Sequence, residues 1–208
     1  MIIGICGLIG SGKGTVADIL VDQGFKKVSF ADKLKDGAST IFGWDRAMLE
    51  GDTDESRTWR EQRDDFWSAE TKMEVTPRLV LQLFGTDCMR NGFDDGVWVS
   101  LLKKTILDNP GNYVVPDVRF ENEIAMLRDI GGEVWEVQRG RTPDWLVKYE
   151  ITGVEPTEVH SSEWRWIKSR KDKVIENNST LEHLQNEVLN AISLLSLIHI
   201  SEPTRPSV

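Results

Sequence analysis

Nine residues near the start of the chain, Gly7-Leu8-Ile9-Gly10-Ser11-Gly12-Lys13-Gly14-Thr15, carry the clearest chemistry in the sequence. They follow a short apolar run and open a helical pattern, the context a phosphate-binding P-loop needs. Glycines let the backbone N–H groups wrap a phosphate, and the helix N-terminus adds a favourable dipole. Lys13 supplies a point charge to a phosphoryl group in transfer. Gly10, Ser11, Gly12, Lys13, Gly14 and Thr15 are therefore the expected ATP-binding residues, with Lys13 catalytic. Gly14 stands where the common motif has Ser or Thr, which argues against a GTPase or motor ATPase that needs a hydroxyl directly after the lysine.

The elements that must position this loop read as α/β. Met1 to Cys6 is a buried strand in pattern, and Lys13 to Asp22 a helix. A strand at Lys26 to Phe30 and a helix at Asp32 to Phe42 follow. From Asp45 to Glu74, 15 of 30 residues are charged, with Trp44, Trp59 and Trp67 among or beside them, which predicts exposed helix and loop outside the sheet. Thr76 and Pro77 form a helix start, threonine as N-cap and proline in the first turn, leading into RLVLQLFGTDCMR. A helix is expected from Gly96 to Leu107, then strands at Tyr113–Val118 and Glu133–Gln138 with a helix carrying Ile124, Leu127 and Ile130 between them. A last strand, Lys173–Glu176, precedes a capping box over Ser179 to Glu182 and an amphipathic helix. Alternating strand and helix predict a parallel sheet with helices on both faces.

Composition sets the outer bounds. The chain has 208 residues, 34 acidic and 25 basic, for a net charge of −9, with 39% hydrophobic residues: enough for one domain with a real core. That acid excess argues against a partner such as duplex DNA gripped through its phosphates, so no nucleic-acid polymer is expected. Cys6 and Cys88, without a CxxC, encode neither a disulfide framework nor a zinc cluster and suit a reducing cytoplasm. No run approaches the roughly 18 apolar residues of a spanning helix, so no membrane partner is expected. Leu195 to Arg205 reads LSLIHISEPTR and looks like a translated transposase sequencing adapter. Residues 195–208 are accordingly expected to be a non-native tail, and 1–194 the evolved domain.

Four later blocks carry a resemblance: TPRLVLQLFGTDCMR at 76–90, PDVRFENE at 116–123, HSSE at 160–163 and VIENNSTLEHL at 174–184. In this order they resemble the bacteriophage deoxynucleoside monophosphate kinases over nearly all of residues 1–190. The GKGT ending of the first loop is likewise similar to adenylate kinase and its relatives, where magnesium is held largely through water and phosphate oxygens. The resemblance implies a P-loop kinase fold, a helical acceptor-binding insertion at about 31–110, a lid at about 139–160, and ATP and Mg2+ as cofactors. It implies phosphorylation of a deoxynucleoside 5′-monophosphate, in the host cytoplasm if the chain is of phage origin, and leaves the base open. A homodimer is compatible with the sequence.

Individual residues fit those roles. Arg78 lies in the first turn of its helix, where guanidinium and free backbone donors can bind one monoester phosphate together. Gln82 follows one turn later on the same face, placed for a base or sugar. Lys35 and Arg90 are further acceptor-phosphate candidates; the alternative for each lone cation is a solvated surface charge. Asp117 ends an apolar strand as a magnesium-binding acid would, with Thr15 as the other metal candidate, both through water; Pro116 is unusual in a central strand. Arg119 either pairs with Glu123 four residues on or points to phosphate. Arg139 and Arg141 follow a strand end where such kinases place a lid, and would neutralise charge on the migrating phosphoryl. The loop Asn177 to Thr180 is expected beside the P-loop, in reach of adenine. His160 and Glu163 read as a structural pair in preference to a general base, because an acceptor phosphate oxygen is already anionic. Trp98, Trp164 and Trp166 read as core. The alternatives are a dephospho-coenzyme A kinase, whose final strand–loop–helix VIENNSTLEHL resembles, and a regulatory module that holds ATP without transferring it.

Overall fold

The computed structural model describes residues 1–159 and 163–201. Five strands form one parallel sheet in the order β2-β3-β1-β4-β5, where β1 is Ile2–Cys6, β2 Lys26–Lys27, β3 Tyr113–Val115, β4 Glu133–Gln138 and β5 Lys173–Glu176. All neighbouring strands are parallel, as Ile3 opposite both Val114 and Glu133 illustrates for the central three. β1 is buried along almost its whole length, which its run of Ile and Cys allows. The P-loop therefore springs from the middle of the sheet, the place where an α/β fold presents its binding crevice.

Two compact units divide the chain. The first comprises Met1–Val28 and the chain from Pro110 on; the second is Ser29–Asn109. In the first, helices α1 (Lys13–Asp22) and α9 (Leu181–Ser201) pack against each other and against the sheet. Val16, Leu20, Leu184 and Val188 share one buried cluster with Ile3, Ile5 and Trp135. Helix α7 (Glu121–Asp129) packs on β1 and β4 and buries Ile124 and Leu127. This is the parallel sheet flanked by helices, with the P-loop between β1 and α1, expected of the sequence.

Several boundaries differ from the sequence reading for identifiable reasons. β3 stops at Val115 because Pro116 has no N–H to continue the ladder, so Asp117 lies in a turn beyond the strand. Thr180, not Ser179, caps α9, accepting from the backbone N–H of His183 at 3.2 Å. Helix α9 also runs past the boundary drawn at Leu194: Leu195 is buried in the core cluster, so the first tail residue packs as structure. Helix α8 (Asp144–Thr152) was not foreseen; Leu146 and Tyr149 anchor it against Trp164, with Leu8 of the P-loop in the same cluster.

The second unit holds helices α2 (Asp32–Phe42), α3 (Asp54–Glu61), α4 (Asp65–Thr71), α5 (Pro77–Gln82) and α6 (Val97–Asp108). Its charged stretch is not merely exposed helix and loop. Trp44, Trp59 and Trp67 gather with Phe42, Leu49, Val75 and Val80 into an aromatic core, Phe42 stacking on Trp44 at 4.7 Å. Asp64 explains the convergence: one carboxylate oxygen caps α4 at the N–H of Trp67 (2.9 Å) and the other accepts from the Trp44 indole (2.8 Å). Thr76 caps α5 through Leu79 N–H at 3.1 Å, with Pro77 in the first turn, as its sequence dictates. Beyond Gln82 the chain widens into a π-helix over Leu83–Asn91, a rare geometry that concentrates at functional sites. The carbonyl of Gly85 within it accepts from the buried Trp98 indole at 3.0 Å.

Candidate active site

The P-loop of the first unit is shaped by its own backbone and by Asn177. Lys13 Nζ donates to the carbonyls of Gly7 and Leu8, each at 2.8 Å, closing the loop into a ring and leaving one of its three N–H donors for a phosphate. Gly12 has φ +100°, and a Cβ there would fall 2.2 Å from Asn177 Nδ2. Only glycine allows that approach, which Asn177 uses to donate to Ser11 O at 2.9 Å. The Asn177–Thr180 loop thus lies beside the P-loop, as its sequence suggested, and Asn178 Oδ1 accepts from Gly140 N–H at 2.7 Å.

Ser11 is 3% exposed and its hydroxyl has no partner among the described residues. It lines a cavity of about 80 Å3 together with Gln138, Arg139, Arg141 and Leu146. A buried donor left open next to a glycine loop fits a site made for a polar ligand. Thr15 is exposed on the first turn of α1. Among the described residues no three acids, histidines or cysteines gather into a metal site. Thr15 and Asp117 carry oxygen donors of the kind magnesium takes, a metal that keeps several waters and binds through substrate phosphates.

A second cation joins Lys13. Arg119, just beyond β3, sets its guanidinium 2.7 Å from Glu163, whose side chain is 15% exposed. Glu123, 3% exposed, fixes the turn by accepting from the backbone N–H groups of Arg119 and Phe120 at 2.7 and 3.0 Å. Burial lowers the Lys13 ammonium below its ordinary value and the nearby Arg119 lowers it further, while Glu163 opposes both. Lys13, Arg119 and Glu163 are therefore electrostatic neighbours, and Glu163 is a site residue its HSSE context hid. His160, from the same block, lies outside the described residues. Arg139 and Arg141 are exposed at the end of β4; Arg141 pairs with Asp144 at 2.9 Å.

The second unit collects its own cations. Lys35 on α2 is largely buried and bound to Glu50 at 2.5 Å, and Glu50 also bonds Arg46. Burial would raise the Glu50 carboxyl, but hydrogen bonds from Lys35 and Arg46 prevail and hold it below its ordinary range. Arg78, in the first turn of α5, meets Glu61 of α3 at 3.0 Å with both side chains exposed. Gln82 is exposed one turn later on the same helix. Arg90, in the last turn of the π-helix, lies 3.9 Å from Asp95. Trp98, Trp164 and Trp166 are all buried, as their spacing indicated.

Comparison with known proteins gives the family. The profile of the deoxynucleotide monophosphate kinase family matches residues 45–188. An Acanthamoeba polyphaga mimivirus protein, provisionally named for that family, is 30% identical over 207 residues, covering 92% of this chain and 96% of its own. The deoxynucleoside-5′-monophosphate kinase of Escherichia phage T5 is 25% identical, covering 62% of this chain and 72% of its own. The deoxynucleotide monophosphate kinase of Enterobacteria phage T4 is 31% identical over 122 residues, 57% of this chain but only 46% of the phage protein. The chain belongs to the deoxynucleotide monophosphate kinase family.

Proposed function

We propose that the protein transfers the γ-phosphoryl of ATP to the 5′-phosphate of a deoxynucleoside monophosphate. An acceptor phosphate oxygen attacks the γ-phosphorus in line, its bond to the ADP oxygen breaks, and no covalent enzyme intermediate forms. The observation that carries this reading is Lys13, held on its own loop carbonyls with one N–H to spare and Arg119 beside it. Phosphoryl transfer demands positioned positive charge and little proton removal, and that is what these side chains provide.

In this reading Gly10 to Thr15 hold the donor phosphates, with Thr15 and Asp117 reaching magnesium through water. The metal, when bound, neutralises charge between the donor phosphates. Arg139 and Arg141 complete the clamp from the lid, which contains α8. Arg78, with Lys35, Arg90 and Gln82, binds the acceptor in the Ser29–Asn109 unit, and Arg119 serves the phosphate in transit. The substrates are small molecules of the cytoplasm, the host's for a viral chain. Among the described residues no helix is long and apolar enough to cross a membrane.

Family membership favours this reading over dephospho-coenzyme A kinase, and the cations of the second unit favour it over a silent ATP-binding module. The test is ADP release from ATP across the four common deoxynucleoside monophosphates, ribonucleotides and dephospho-coenzyme A. Highest kcat/KM is expected for a deoxynucleotide. A ribose hydroxyl against an apolar wall would cost only about 10²-fold, so residual ribonucleotide turnover is compatible. ATP binding without acceptor-dependent ADP, or preferential turnover of dephospho-coenzyme A, would contradict it.

A further inference from the structure

Arg60, in the second unit, has no hydrogen bond or ion pair among the described residues. It sits in the last turn of α3, and its Nε is buried with no hydrogen bond. Its neighbours are already engaged. Arg57 spends its donors on the carbonyls of Gly51 and Asp52 and on Asp54, and Glu61 is bound by Arg78. The Arg60 side chain is laid over Gly51, where the backbone has φ +69° and a Cβ would stand 1.9 Å from the guanidinium. The missing side chain at 51 is what admits it.

Leaving a buried Nε–H without an acceptor is unfavourable. Packing of α3 on α5 makes matters worse, because it sets Arg60 near Arg78. Burial and then Arg78 are the leading causes that lower Arg60 below its ordinary basicity. Glu61 and Glu50 oppose this, but Glu61 is bound by Arg78 and Glu50 by Lys35 and Arg46, so a doubly charged phosphomonoester adds acceptors that Arg60 can meet with bidentate hydrogen bonds.

We propose that Arg60 binds the 5′-phosphate of the acceptor nucleotide together with Arg78, a proposal that rests on the kinase reading above. A purely structural role, the arginine stem covering Gly51, is the competing account. Arg60→Met keeps an apolar stem and removes the donors, so it separates the two. The expected result is an acceptor KM raised about tenfold or more with KM for ATP within about twofold, since bidentate phosphate contacts are lost on one substrate only. Arg60→Lys should recover part of that loss. Gly51→Ala, which displaces the guanidinium without deleting it, should raise the same KM by less. The double variant of Arg60→Met with Arg78→Ala should cost less than the product of the single effects, because one phosphate is shared.

An unchanged acceptor KM in Arg60→Met would overturn the proposal while leaving the kinase reading intact. Should the unaltered protein release no acceptor-dependent ADP, the kinase reading fails, and calorimetric titration with inorganic phosphate still decides the site. Binding heat lost in Arg60→Met upholds it; equal heat in both proteins removes it.

Discussion

The two units hold positive charge in opposite ways. In the sheet unit, Lys13 is fixed by backbone carbonyls of its own loop, six and five residues back, so its position depends on glycine geometry and strand order. In the Ser29–Asn109 unit, Lys35, Arg78 and Arg90 each lean on a carboxylate, and Arg60 has no ion pair among the described residues. The first arrangement is built from backbone groups of the loop itself. The second is a set of cations held by ion pairs, of which the exposed Arg78–Glu61 pair is worth about 0–1 kcal/mol and can be replaced by a phosphate at small cost.

That contrast orders the expected effects. Lys13→Ala attacks the backbone-held half and should lower kcat by about 10²-fold or more while the melting temperature moves little. A variant retaining half its activity would break the comparison at its strongest point. Arg78→Ala attacks the exchangeable half and should raise KM for the monophosphate about tenfold with KM for ATP nearly unchanged. Equal rises for both substrates would mean the halves do not divide the substrates as argued.

Glu163→Gln sharpens the picture of the first half. Glu163 is the carboxylate that holds Lys13 protonated against burial and Arg119, so removing its charge lowers the lysine further below 10.5. The alkaline fall of kcat/KM should therefore begin at lower pH in the variant. A profile that superimposes on the original would remove Glu163 from the site.

The smallest effect belongs to Glu50. Its folded-state carboxyl lies below the ordinary 4.5, so its stabilisation is complete above that pH and is lost as pH falls through the lower folded value. Glu50→Gln should be less stable at neutral pH and lose less on acidification through that window, measured by chemical denaturation at each pH. Parallel curves would show that the Lys35–Glu50–Arg46 network adds no pH-dependent stability.

The same contrast explains what could be read from sequence. The P-loop, β1, α1, β4 and β5 were legible because each is a contiguous pattern whose neighbours sit within a few residues. The Asn177 contact was legible in outline because a loop after the last strand must end near the first. Arg60 and Glu163 were not: one gains meaning from Gly51 and the α3–α5 packing, the other from Arg119 across 44 positions. The aromatic core of the charged stretch was hidden for the same reason, since Asp64 joins Trp44 and Trp67 through two oxygens of one carboxylate. Helix α8 was missed because its register depends on Trp164 and Leu8, not on local spacing.

Hydrogen exchange with each substrate added alone tests most directly the claim that the two units divide the substrates. ATP with magnesium should slow exchange across Gly7 to Thr15 and leave Asp54–Glu61 and Pro77–Gln82 as in the free protein. A deoxynucleoside monophosphate alone should do the reverse. Protection of the P-loop by the monophosphate, with α3 and α5 exchanging as before, would contradict the account.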